Sequence, residues 1–185
     1  MQIRCKKTDL LNSVNISLRA VTSKTTLPIL ECIVIEAQDN IIKLISNNQE
    51  LGIETIVKGE IIENGSIAIN AKLFSEIIRK LPDSDVTFTT NDSFMANIQC
   101  EKAKFNISGQ SGEDFSYLPY VEKNDSITLS QFTLKEVVRQ TIFSIAANEN
   151  NKMMTGELFE VDGNILKVVS LDGHRISIRK IELKD

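Results

Sequence analysis

The chain has 185 residues, 42% hydrophobic and 25% charged, which supports one or two packed domains and excludes both a disordered tail and a large multidomain enzyme. Its 21 basic and 25 acidic residues leave a net charge of -4, which excludes an ordinary polybasic nucleic-acid binder but leaves open a protein whose charge is unevenly distributed.

The first element, MQIRCKK, alternates apolar and polar residues, with Ile3 and Cys5 facing one way and Arg4 and Lys6 the other, as in a half-buried strand. It lacks the apolar stretch of a secretion signal, and nothing in the chain approaches the ~20 apolar residues needed to cross a bilayer. With an odd set of thiols (Cys5, Cys32 and Cys100) and no C-x-x-C spacing, buried free cysteines in the cytoplasm are expected. The spacing then becomes helical over 8–21, where Leu10, Leu11, Val14, Leu18 and Val21 form one apolar stripe, with Thr8 as a candidate cap. Three β-rich segments follow, CIVIEA, NIIKLIS and GIETIVK, around turns at Asp39-Asn40 and Asn47-Asn48.

The same order recurs. Residues 67–78 and 127–138 align with residues 3–14 without gaps, at offsets of 64 and 60 residues, superposing Ile3, Ile67 and Ile127 and, on the helices, Leu10, Phe74 and Leu134. Independently, NIIKLIS at 40–46 matches NILKVVS at 164–170 at an offset of 124, the sum of the other two. The second helical stripe is Phe74, Ile77, Ile78 and Leu81, stopped by Pro82. The third is Leu134, Val137, Val138, Ile142 and Ile145, with Thr133 as a candidate cap. GELFEV, NILKVVS and RISIRKIEL follow it, around Asp162-Gly163 and Asp172-Gly173.

The chain therefore reads as three β-α-β-β-β units in an α+β fold with helices on one face of antiparallel sheets. Residues 1–118 hold two units and make one complete domain. Residues 119–125 close a Gly-, Ser- and Pro-containing stretch, 109–125, of linker composition. Residues 126–185 hold one unit, half of a second domain, whose apolar stripe needs a partner.

No phosphate-binding G-x-x-x-x-G-K-[ST] loop occurs, and the single His174 has no nucleophile motif beside it. Asp83, Asp85, Glu113 and Asp114 read as solvated turn acids, and neither a metal site nor a cofactor is expected. The three helical segments carry Arg19, Lys72, Arg79, Lys80, Lys135 and Arg139 against Asp9, Glu76 and Glu136, a net of +3 that leaves -7 on the rest. Basic helices on an acidic body suit a polyanion, although solvated helix faces often carry such residues.

TLPIL at 26–30, LFSEIIRKLP at 73–82, KFNIS and then EDF within 104–115, and LDGHRIS at 171–177, in this order on a repeated β-α-β-β-β unit, resemble the bacterial DNA polymerase III beta subunit, the sliding clamp. The resemblance runs from Met1 to Asp185. It implies a DNA-clamp fold and a non-enzymatic processivity factor: a homodimeric ring that encircles double-stranded DNA without reading sequence. It also implies as partners the polymerase III catalytic subunit, the clamp loader and repair proteins carrying clamp-binding peptides. By position it implies DNA contacts at Lys24, Lys72, Arg79 and Asn148, and a partner-peptide pocket at Met154, Leu171, Gly173, His174, Arg175 and Ile176. The ring interface would lie near Phe105 and Ile107. Asn151 and Lys152 depart from the family pattern at the pocket rim.

The resemblance further implies three domains per chain, so this chain is expected to be a truncated form unable to close the ring by itself. The alternative expectation is a naturally short clamp-like module that binds peptides or acts as a decoy. An enzyme on the same scaffold is the third, and the scarcity of nucleophiles and bases argues against it.

Overall fold

The computed structural model describes residues 1–22, 25–115, 126–147 and 151–183. The chain divides into two compact regions, Met1–Tyr120 and Val121–Asp185.

In the first region, β1 (Gln2–Lys6) buries Ile3 and Cys5 and exposes Arg4 and Lys6, as its alternation requires. It leads into α1 (Lys7–Ser17), which has no side-chain cap, so Thr8 lies within the helix; one 3-10 turn extends it to Ala20. A second 3-10 turn, Pro28–Glu31, precedes β2 (Cys32–Gln38), β3 (Ile41–Asn47), β4 (Gly52–Val57) and β5 (Gly59–Glu63). Asp39 and Asn40 both take positive φ at the β2–β3 turn, and Asn47 and Asn48 accept hydrogen bonds from the backbone after β3.

The second unit repeats this with β6 (Gly65–Asn70), α2 (Ala71–Lys80), β7 (Asp85–Thr90), β8 (Met95–Cys100) and β9 (Ala103–Gln110). Leu81 is extended before Pro82, which ends α2 where the sequence predicts. Asn70 caps α2, its Oδ1 accepting from the Leu73 N–H at 3.0 Å. Asn70→Ala is expected to lower the stability of this region by about 1 kcal/mol in urea unfolding, with the fold retained.

The units interlock through their opening strands. β1 pairs with β7, the first strand after the other unit's helix, placing Ile3 opposite Phe88 and Cys5 opposite Val86. β6 pairs with β2 in the same way, placing Ile67 opposite Ile35 and Ile69 opposite Ile33. The last strand of each unit returns to its own opening strand: β9 reaches β6, and β4 continues past Lys58 into β5, which pairs with β1. The sheet order is β4-β3-β2-β6-β9-β8-β7-β1-β5. Leu10 and Val14 of α1 and Phe74 and Ile78 of α2 are buried over this sheet, in one cluster with Ile3, Ile33, Ile35, Ile67, Ile69, Phe88 and Ile98.

Part of the stretch read as linker belongs to this region. Gly109 lies so close to Ile67 and Ala68 that a Cβ would sit 2.7–2.8 Å from them, Gly112 abuts Ser66, and Phe115 is buried against Leu30 and Val34. These glycines permit close backbone approach rather than chain flexibility. Residues 119–125 lie outside the described residues.

In the second region, β10 (Leu158–Asp162), β11 (Ile165–Leu171) and β12 (Ile176–Glu182) form a sheet in the order β10-β11-β12, and α3 (Gln131–Thr141) packs on β11 and β12. The cap is Ser130, which accepts from the Thr133 N–H at 3.0 Å; Thr133 sits in the first turn. Gly163 and Gly173 take positive φ at the two hairpin turns. The core is small: Val137, Leu166 and Val168, with Leu129, Ile181 and Leu183 packed at its edge. The strand expected at 127–129 does not form. In the first region each opening strand is held by the other unit's first post-helix strand.

Candidate nucleic-acid interface and peptide pocket

With Leu10, Val14, Phe74 and Ile78 turned to the sheet, the opposite faces of α1 and α2 meet solvent. Asn12, Asn15 and Arg19 are exposed at i, i+3 and i+7, and Lys72, Glu76, Arg79 and Lys80 are exposed on α2. The Arg79 guanidinium donates to Asn15 Oδ1 at 3.1 Å, joining the two polar faces. Asn15 carries no signal of this role in the sequence, where nothing shows that residues 15 and 79 meet. Lys24 and Asn148 lie outside the described residues.

The third helix is less cationic than its residue count implies. Arg139 forks onto Glu136 at 2.7 and 3.1 Å, and the Arg139 hydrogen bond holds the Glu136 carboxyl below the usual carboxylate range. Lys135 is exposed beside this pair.

The six residues expected at a peptide pocket lie on the Lys152–Thr155 turn and the β11–β12 hairpin, each joined to the stretch after α3. Ser144 Oγ lies 2.6 Å from Ser177 Oγ, which sets the start of β12 beside the 3-10 turn after α3. Ala146 N–H donates to the Met154 carbonyl at 2.9 Å, which docks the Lys152–Thr155 turn on the same segment. Leu171 and Ile176 are cross-strand partners, Leu171 half-buried and Ile176 exposed. Leu158, Val169 and Ile178 are in register on the same sheet face, so an apolar strip continues away from Leu171 and Ile176; the alternation of Ile176 and Ile178 in RISIRK was its sequence signal, whereas Phe159 and Val161 of ELFEV lie on the other face. Asn151, one of the departures, caps the Met154 turn by accepting from the Met153 N–H at 3.1 Å.

Between the strands, Asp172 organises the turn. Its carboxylate accepts from the His174 and Arg175 N–H groups, each at 3.0 Å, and from Arg175 Nε at 2.8 Å. The His174 N–H is the largest cause holding its carboxyl below the usual range, joined by Arg175. A depressed carboxylate pKa contributes order that is present above the unfolded value of about 3.9 and is lost as pH falls through the lower folded value. The His174 and Arg175 amide shifts are therefore expected to titrate with a midpoint below about 3.9, and Asp172→Asn abolishes that titration in NMR spectra.

The two positions expected near a ring interface both lie on β9. β9 alternates with Phe105 and Ile107 turned toward the core cluster, in which Ile107 is buried. Lys104, Asn106 and Ser108 face outward instead, with Asn106 accepting from Asn97 Nδ2 at 2.7 Å. Phe105 is partly buried against the same core.

The cysteines are free and buried, as their spacing leads one to expect. Burial pushes the Cys5 thiol up to about 12 and raises Cys32 and Cys100 as well, so thiolate chemistry is suppressed at each. No described helix is long and apolar enough to cross a membrane.

Two β-α-β-β-β units interlocked through their opening strands, with paired helices over one sheet face, define a DNA-clamp fold. Residues 1–119 match the family described as DNA polymerase III beta subunit, N-terminal domain, and residues 128–185 match its central domain. The chain belongs to the DNA polymerase III beta subunit family. It is 35% identical to the beta sliding clamp of Staphylococcus epidermidis, over 100% of this chain and 51% of that protein. A crystal structure from Eubacterium rectale assigned to the DNA polymerase III beta subunit superposes with a TM-score of 0.93 at 66% identity, over 100% of this chain and 51% of that one. The Bacillus subtilis DNA polymerase sliding clamp superposes at 0.92 with 31% identity, over the same shares. The chain spans about half the length of the relatives it matches.

Proposed function

We propose that this chain supplies the DNA-facing helices and part of the partner-peptide pocket of a replication sliding clamp, a non-catalytic cytoplasmic protein that holds polymerase on duplex DNA. The observation that carries the proposal is the joined polar face of α1 and α2, where Arg19, Lys72, Arg79 and Lys80 are exposed and Arg79 bridges to Asn15. Long cationic side chains on rigid helices attract phosphate without reading bases, which a sliding protein requires. The relatives named sliding clamps support the reading.

On this reading the apolar strip at Leu171 and Ile176, bounded by Met154 and by the turn that Asp172 orders, receives short peptides from the polymerase, the clamp loader and repair proteins. The turn residues Gly173, His174 and Arg175 form its rim. Lys24 and Asn148 remain proposed DNA contacts by position. A homodimeric ring would close near Phe105 and Ile107 on β9.

The test is fluorescence anisotropy of labelled duplex DNA with the 185-residue chain at several salt concentrations. Weak binding, indifferent to sequence and steeply weakened by salt, is expected. Affinity that depends on DNA sequence, or that salt leaves unchanged, overturns the proposal.

A further inference from the structure

We propose that Asn15 is a positioning residue: by accepting a hydrogen bond from Arg79 it keeps that guanidinium off Glu76 and leaves its charge free for phosphate. This role deepens the DNA-facing reading of α1 and α2 and rests on it. α2 carries Glu76 and Arg79 three residues apart and both exposed, a spacing at which a carboxylate and a guanidinium ordinarily meet on one helix face. α3 shows that spacing at work at the same place in the repeat, since residues 76 and 79 correspond to 136 and 139 at the offset of 60. There Arg139 forks onto Glu136, with Nε at 3.1 Å and Nη2 at 2.7 Å from the two carboxylate oxygens.

In α2 the corresponding pair is not made. Arg79 Nη2 donates to Asn15 Oδ1 at 3.1 Å, and among the described residues no ion pair joins Arg79 to Glu76. Asn15 is within reach because residues 15 and 79 are equivalent positions of the first two units, at the offset of 64, and α1 packs against α2. Exposed pairs at i, i+3 are weak, so one competing acceptor from the neighbouring helix is enough to redirect the side chain.

The two arrangements differ in what they leave to a polyanion. The fork in α3 occupies Nε and one terminal nitrogen, the edge through which a guanidinium takes a phosphate, and it sets a negative charge there. The contact in α2 uses one of the five N–H donors of an arginine and a neutral acceptor. The full positive charge of Arg79 therefore stays beside Lys72, two helical turns earlier on α2.

The test is a double-mutant cycle in the 185-residue chain, read by anisotropy of labelled duplex DNA and, without DNA, by proton–nitrogen spectra of the arginine side chains. Asn15 and Glu76 are both exposed, so each variant keeps the fold. Asn15→Ala is expected to weaken binding about threefold at low salt and to flatten the salt dependence by up to about one unit of slope. In the Glu76→Gln background, where Arg79 has no carboxylate to turn to, Asn15→Ala changes affinity by less than about 1.5-fold. Without DNA, Asn15→Ala slows solvent exchange of the Arg79 Nε–H toward that of the forked Arg139, and Glu76→Gln removes most of that slowing. An equal loss of affinity in both backgrounds overturns the proposal, because Asn15 would then act on DNA or on the fold directly. So does an affinity, or an Arg79 Nε–H exchange rate, that Asn15→Ala leaves unchanged. A parent chain that binds no DNA overturns the clamp reading instead, and the DNA-free spectra still decide whether Asn15 holds Arg79 off Glu76.

Discussion

Phe74→Ala is expected to destabilise the first region by about 3–5 kcal/mol, as truncation of a buried aromatic side chain typically does. Phe74 is fully buried, and its ring meets Phe88 edge-on, with centroids 6.1 Å apart and planes at 76°. The loss combines apolar burial, the cavity left behind and an aromatic interaction of about 0.5–1.5 kcal/mol. Because Phe74 belongs to one unit's helix while Ile3, Leu10 and Ile35 of the same cluster belong to the other, both units should melt together. Urea unfolding followed by circular dichroism and by amide signals from β2 and β7 checks this. Loss of β7 signals while β2 persists would show that the units are not one cooperative structure. Phe132→Ala, at a side chain 75% exposed on α3, is the control and should change stability by less than about 0.5 kcal/mol.

Lys72→Glu combined with Arg79→Glu should weaken binding to duplex DNA at least about tenfold at low salt and flatten the salt dependence by about one unit of slope for each phosphate no longer neutralised. Neither side chain is buried, so the fold should survive, which a thermal melt of the variant verifies. Lys135→Glu should matter less, because α3 carries the Glu136–Arg139 pair beside it. An equal loss of affinity from Lys102→Glu, on the exposed turn between β8 and β9, would mean that net charge rather than the α1–α2 face controls binding.

The sequence was most legible where a periodic pattern meets a single surface. Ile3 and Cys5 alternate with Arg4 and Lys6, and Leu10 and Val14 lie one helical turn apart, so strand and helix follow from local geometry. It was misleading at Gly109 and Gly112, where glycine means close packing against Ile67 and Ser66 rather than a linker. The third helix's cap is Ser130 rather than Thr133, and α1 has no side-chain cap although Thr8 was a candidate, because the choice among neighbouring polar residues depends on backbone entry into each helix. Arg79 meeting Asn15, and Arg139 being offset by Glu136, are outcomes of side-chain placement that residue counting cannot separate.

The repeat and its three-unit count were determined by sequence alone, because apolar spacing at offsets of 64, 60 and 124 residues records the same strand and helix three times. Only the tertiary structure decided which strands pair. An opening strand carries the pattern of a strand everywhere, yet Ile3 and Ile67 form ladders with the opposite unit while Ile127 forms none. The physical reason is that a strand is completed by hydrogen bonds to a neighbour far along the chain, and a local pattern specifies the face a residue presents but not the partner that will cover it.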